Sequence, residues 1–158
     1  MDRIEIRVER LVAADPRVVW DVVTDLDHAA QTFGGIEAVE RVEGTGYAPG
    51  VRWRETRKVM GRSATEEMWV DEVEEPRRTV VRAESRGVRY DSTFTLTPEP
   101  GGTRLELVFG GDPVGQGAVA RFIGRLMGPL AVKGTRKMLE QDLADIAREA
   151  EARGRTGL

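Results

Sequence analysis

The chain has no cysteine and only one histidine, His28, among its 158 residues. Without thiols there is no disulfide, no thiolate nucleophile and no sulfur metal site. One imidazole, no His-Glu-x-x-His and no Asp-x-Asp-x-Asp-Gly loop give no reason to expect a metal centre or a cofactor. Serine is scarce too (Ser63, Ser85 and Ser92), and none sits in a Gly-x-Ser-x-Gly elbow. A Ser-His-Asp triad would have to recruit His28, which reads as a surface or half-buried residue near a cavity mouth rather than a catalyst. No apolar run approaches the ~20 residues of a membrane span, and the N-terminus lacks the apolar stretch of a signal peptide. The expectation is a cytoplasmic protein without stable membrane insertion. A net charge of −3 draws in neither nucleic acid nor an anionic surface. The arginine-rich stretches alternate with acids and lack interleaved stacking aromatics, so nucleic acid is not an expected partner.

What the chain does contain is ordinary globular composition, 40% apolar and 32% charged. A chain of this length buries about 70% of its unfolded surface, enough for one core with an internal pocket. It is read as a single domain over residues 1–152 with a frayed tail at 153–158. Ile4, Ile6, Val8 and Val12 alternate with polar neighbours as in a strand with one buried face. Arg10 falls on the buried parity, either as a cavity residue or where the pattern slips. Asp15-Pro16 opens a helix as N-cap and first-turn proline, carrying Val19, Trp20 and Val23, and Leu26 to Phe33 reads as a second short helix.

From Ile36 the period turns to two. Strands are expected at Glu37–Val42, Val51–Met60, Ser63–Val73, Thr79–Ser85, Val88–Thr97 and Thr103–Phe109, separated by glycine and proline turns. Connections this short pair neighbours antiparallel. A helical stretch from about Gln116 to Arg153 closes the chain, with a kink or break expected at Gly128-Pro129. The fold class is α+β: a curved antiparallel sheet of about seven strands, two short helices after the first strand, and a long C-terminal helix over a cavity.

Asp15 to Asp25 after the first strand, Glu75-Pro76-Arg77-Arg78 at a strand turn, and Gly101-Gly102-Thr103-Arg104-Leu105 entering the last strand carry a family likeness. With the long terminal helix, they resemble the START-like helix-grip superfamily, which holds polyketide cyclase/dehydrase-like and lipid-transport-like proteins. The resemblance spans roughly Ile4 to Arg148. It implies a hydrophobic cavity between sheet and helix, and no single activity.

Alternation puts Val51, Trp53, Glu55, Arg57 and Val59 on the inner face of the third strand. Buried charges must be paired or serve a ligand. Glu55 and Arg57 are therefore either a satisfied pair at the open end of the sheet or a polar anchor for a ligand headgroup. Tyr90, Ser92, Phe94 and Leu96 share one parity, as do Leu105, Leu107 and Phe109. In the fourth strand the parity is ambiguous, and the resemblance favours Met68 and Val70 facing inward with Trp69 outside. The expected cavity lining is Trp53, Glu55, Arg57, Met68, Val70, Tyr90, Ser92, Phe94, Leu107 and Phe109, with Phe122, Leu126 and Leu130 as lid residues. Gly44 to Gly50 lacks the third glycine and the following helix of a phosphate loop, and reads as a rim loop.

Three functions fit this reading. The first is a binder, carrier or sensor for a small hydrophobic molecule such as a lipid, isoprenoid or polyketide-like compound. The second is a cyclase or dehydratase in which Glu55 acts as base while Arg57 or Tyr90 polarises a carbonyl. The third is a protein-interaction module using the outer face around Trp69. The chain is expected as a monomer or homodimer.

Overall fold

Strand β1 (Ile4–Val12) leads into helix α1 (Pro16–Val23), a 3-10 turn (Leu26–His28) and helix α2 (Ala29–Thr32). Strands β2 (Ile36–Glu43), β3 (Arg52–Val59), β4 (Arg62–Glu74), β5 (Arg78–Ser85), β6 (Val88–Glu99) and β7 (Gly102–Pro113) follow, and helix α3 (Pro129–Arg155) closes the chain. The computed structural model describes residues 3–59, 61–85, 88–113 and 129–155. All seven strands form one antiparallel sheet in the order β1-β7-β6-β5-β4-β3-β2. The short turns from β2 onward force this meander, and α1 and α2 carry the chain from one edge of the sheet to the other.

Among the described residues, helices cover only the inner face of the sheet. Helix α3 packs on β1 and α1, burying Leu139, Leu143, Ile146, Ala147 and Ala150. Each of the larger of these side chains contributes roughly 1.5–3 kcal/mol. They join Ile6, Val8, Val12, Val19, Trp20, Leu105 and Leu107 in the main core. A second, smaller core of Leu26, Val51, Trp53, Val70 and Val81 lies toward the β2–β3 side. A bulge in β4 between Val70 and Glu72 reverses its parity, so that Val73 also turns inward beside Thr79.

Several local expectations are corrected. Asp15 stands at the start of α1 but its side chain makes no capping hydrogen bond. The second short helix is a 3-10 turn followed by a single α-turn; Asp25 accepts a hydrogen bond from the His28 backbone amide, and His28 itself is exposed. The β1–β7 register runs unbroken through Arg10, and Val12 beyond it is buried, so the pattern does not slip. Arg10 is exposed although Val8 and Val12 on either side of it on the same face are buried.

β7 continues past Phe109 to Pro113 because Gly110 and Gly111 remain paired with Asp91 and Tyr90. The described part of helix α3 runs from Pro129, and the kink or break expected at Gly128-Pro129 falls at the border of the described residues. The helix runs beyond residue 152 to Arg155, since Arg153 holds Glu149 and Asp25. The part of the expected helix before Pro129 lies outside the described residues.

Candidate functional site

Register fixes which side chains share the inner face. Trp53 stands opposite Met68, Met68 opposite Ala83 and Ala83 opposite Tyr90. In the next row Val70 pairs with Val81, Val81 with Ser92, Ser92 with Phe109 and Phe109 with Ile6. Phe94 faces Leu107. The structure therefore brings Trp53, Met68, Val70, Tyr90, Ser92, Phe94, Leu107 and Phe109 to one surface, with Glu55 and Arg57 on the parity of Trp53. Trp69 stands on the opposite face, half-buried, with the Arg52 guanidinium 4.7 Å above its ring. Phe122 and Leu126 lie outside the described residues, as does the side chain of Leu130.

Burial along these strands is uneven in an informative way. On β6, Val88 and Leu96 are buried while Tyr90, Ser92 and Phe94 between them keep part of their surface. On β7, Leu107 is buried and Phe109 is not. On β4 and β3, Val70 and Trp53 are buried, whereas Glu66, Met68, Glu55 and Arg57 are half-open. A band of partly open side chains thus crosses the inner face of the sheet, framed by packed residues. Tyr90 and Phe109 line one part of it as a near-parallel stack, with centroids 5.6 Å apart and 17° between the rings.

Charge on this face is organised around Arg57. Its Nε donates to Glu55 at 2.8 Å, and its two terminal nitrogens donate to the two oxygens of Asp142 on α3 at 3.1 and 2.9 Å. Trp53 Nε1 donates to the other oxygen of Glu55 at 3.4 Å. Burial works against the Arg57 charge, but Asp142 and Glu55 outweigh it and hold the guanidinium above its ordinary range. Burial pushes the Asp142 carboxyl up, with Arg57 opposing. One turn further along, Asp145 accepts from the Gly34 backbone amide at 3.0 Å and from Gln141 at 3.0 Å. This arrangement fastens α3 to β3 and to the loop before β2. It commits Arg57 to carboxylates, leaving it poorly placed to polarise a substrate carbonyl.

Two residues that fasten this frame went unnoticed in the sequence. Asp142 lies within the apolar stripe of α3, between Leu139 and Ile146, and a carboxylate there is the signal that could have marked it. Tyr47 was hidden in the Gly44–Gly50 rim loop. Thr79 donates its hydroxyl hydrogen to the Glu72 carbonyl at 2.9 Å, so Tyr47 must be the donor in its 2.8 Å bond to Thr79. Its ring meets Trp20 edge-on at 6.4 Å, and burial pushes its phenol up to about 12. The rim loop is therefore fastened inward by its own tyrosine.

Among the described residues no group of three or more acidic or histidine side chains is placed to hold a metal ion. No described helix is long and apolar enough to cross a membrane.

A family model described as polyketide cyclase / dehydrase and lipid transport matches residues 3–151. No curated protein matches the sequence. Among solved structures, the protein TTHA0849 from Thermus thermophilus is similar at 23% identity and a TM-score of 0.76, covering 94% of this chain and 98% of that one. Ara h 8.0201 is similar at 12% identity and a TM-score of 0.74, covering 96% and 99%. The di-domain ARO/CYC BexL from the BE-7585A biosynthetic pathway shares 16% identity at a TM-score of 0.70, over 96% of this chain and 50% of that one. Such distant likenesses speak for the fold alone. The family match takes in β1, the whole sheet and most of α3, and on that ground the chain belongs to the polyketide cyclase / dehydrase and lipid transport family.

Proposed function

We propose that the protein holds a small apolar molecule between the inner face of its sheet and α3, as a carrier or sensor. The observation that carries this reading is the band of half-open inner-face residues, Tyr90, Ser92, Phe94, Phe109 and Met68, framed by the buried Val88, Leu96, Leu107 and Val70. Apolar side chains on the inner face that keep accessible surface leave area for an apolar ligand to bury, and that burial is where such a ligand gains most. The family match supports the same reading, since its description includes lipid transport.

The acid–base alternative draws less support. Glu55 already accepts from Arg57 and Trp53, and Arg57 is engaged by Asp142, so the pair serves to fasten α3. The outer-face alternative rests on Trp69, which lies half-covered beneath Arg52. Organic extraction of natively purified protein followed by mass spectrometry tests the proposal. One apolar compound recovered in near-stoichiometric amount is the expected result. Empty protein that also fails to bind an apolar fluorescent probe saturably would reject it.

A further inference from the structure

The row of inner-face positions that crosses the middle of the sheet is apolar except at one place. It runs Val51, Val70, Val81, Ser92, Phe109, Ile6, joined by backbone pairing from β1 back to the residue just before β3. Ser92 interrupts it beside the central strand, with Tyr90 and Phe94 as its same-face neighbours on β6. Threonine hydroxyls facing this side have protein acceptors: Thr79 donates to the Glu72 carbonyl and Thr103 to the Ala14 carbonyl. The Ser92 hydroxyl has none among the described residues, and the side chain is half-buried. A hydroxyl in an apolar wall is unfavourable unless something bonds to it. Directly across from it stands Phe109, stacked on Tyr90, which offers a flat aromatic surface.

We infer that Ser92 is the specificity-determining contact of the hollow, selecting an apolar ring that bears an oxygen over the bare hydrocarbon. This rests on the ligand-binding reading above. The ring lies against the Tyr90–Phe109 stack, and its hydroxyl or carbonyl oxygen exchanges a hydrogen bond with Ser92. An aromatic stack beside the one polar position of this row suits an oxygenated ring better than an unbranched acyl chain, which has no polar group at mid-length to meet it.

The test compares 2-naphthol with naphthalene by fluorescence titration of delipidated full-length protein. Wild type is expected to bind 2-naphthol roughly three- to tenfold tighter, the worth of one neutral hydrogen bond. Ser92→Ala removes that preference but still binds naphthalene saturably, which also certifies the fold of the variant. Ser92→Thr, which keeps the hydroxyl, retains the preference. Equal binding of both probes by wild type, or a preference that survives in Ser92→Ala, overturns the role of Ser92 while leaving the hollow intact. Saturable binding of neither probe overturns the ligand-binding reading and this inference with it.

Discussion

Arg57 on β3 grips Asp142 on α3 through both terminal guanidinium nitrogens, at 3.1 and 2.9 Å, across 85 residues of chain. Both side chains are largely withdrawn from water, at 19% and 9% relative exposure. Removing one partner of such a pair leaves an uncompensated charge, at a cost of about 3–5 kcal/mol. Arg57→Met is therefore expected to lower unfolding free energy by an amount in that range, measured by urea titration. Adding Asp142→Leu should recover more than half of the loss. A cost below about 1 kcal/mol for Arg57→Met would mean that the pair behaves as a surface bridge.

Tyr47 gives the fold an alkaline limit. Its phenol is pushed up to about 12 by burial, against an ordinary value of 10.0. An acid whose pKa is raised on folding stabilises the native state fully below its unfolded value, and that contribution is lost as pH rises from about 10 to 12. Wild type should lose stability over that window by more than Tyr47→Phe does. At neutral pH the phenylalanine variant should be less stable by about 1 kcal/mol, from the lost bond to Thr79. Parallel pH curves for the two proteins would show that the phenol is not held as described.

On the outer face, Arg3 lies across β7 at Gly110 to reach Asp91, Asp112 and, beside it, Glu5. A Cβ at Gly110 would collide with the Arg3 guanidinium. The site belongs to a continuous cross-strand row, Glu43, Arg52, Trp69, Arg82, Asp91, Gly110, Glu5, that spans all seven strands. Gly110→Ala and Arg3→Ala should both destabilise the protein by roughly 1–3 kcal/mol, since each deprives the buried Asp91 of its closest cation. The double variant should cost little more than either single one. Additive losses in a thermal-melt cycle would separate the two residues.

The proposed ligand-binding hollow predicts an unusual response to overfilling. In a packed core, a large side chain in place of a small one costs typically about 1–3 kcal/mol. On the ligand-binding reading, Ser92→Phe projects into unfilled space and should leave the melting temperature unchanged or raised while abolishing saturable binding of an apolar probe. A variant that unfolds readily would mean that the space beneath α3 is already occupied by side chains.

Much of this architecture was legible because a strand with one buried face must alternate. Val51, Trp53, Glu55 and Arg57 announced the inner side of β3 without reference to any partner. The turns were equally plain, since Glu75-Pro76 and Pro98 to Gly102 leave few alternatives to a reversal. Pairings over long separations could not be read this way. Nothing local to Arg57 indicates Asp142, and nothing local to Gly110 indicates that Arg3 will lie over it, so β7 was expected to stop at Phe109. Tyr47 was missed for a related reason: glycines on both sides describe a loop, and only the folded sheet supplies the Thr79 hydroxyl that fastens it.

The most direct measurement is a crystal structure of protein purified natively, without detergent or delipidation. The account predicts continuous electron density for a bound molecule under α3, in contact with Tyr90, Ser92 and Phe109. Side chains filling that space, with α3 pressed against the sheet and no void larger than a few waters, would contradict it.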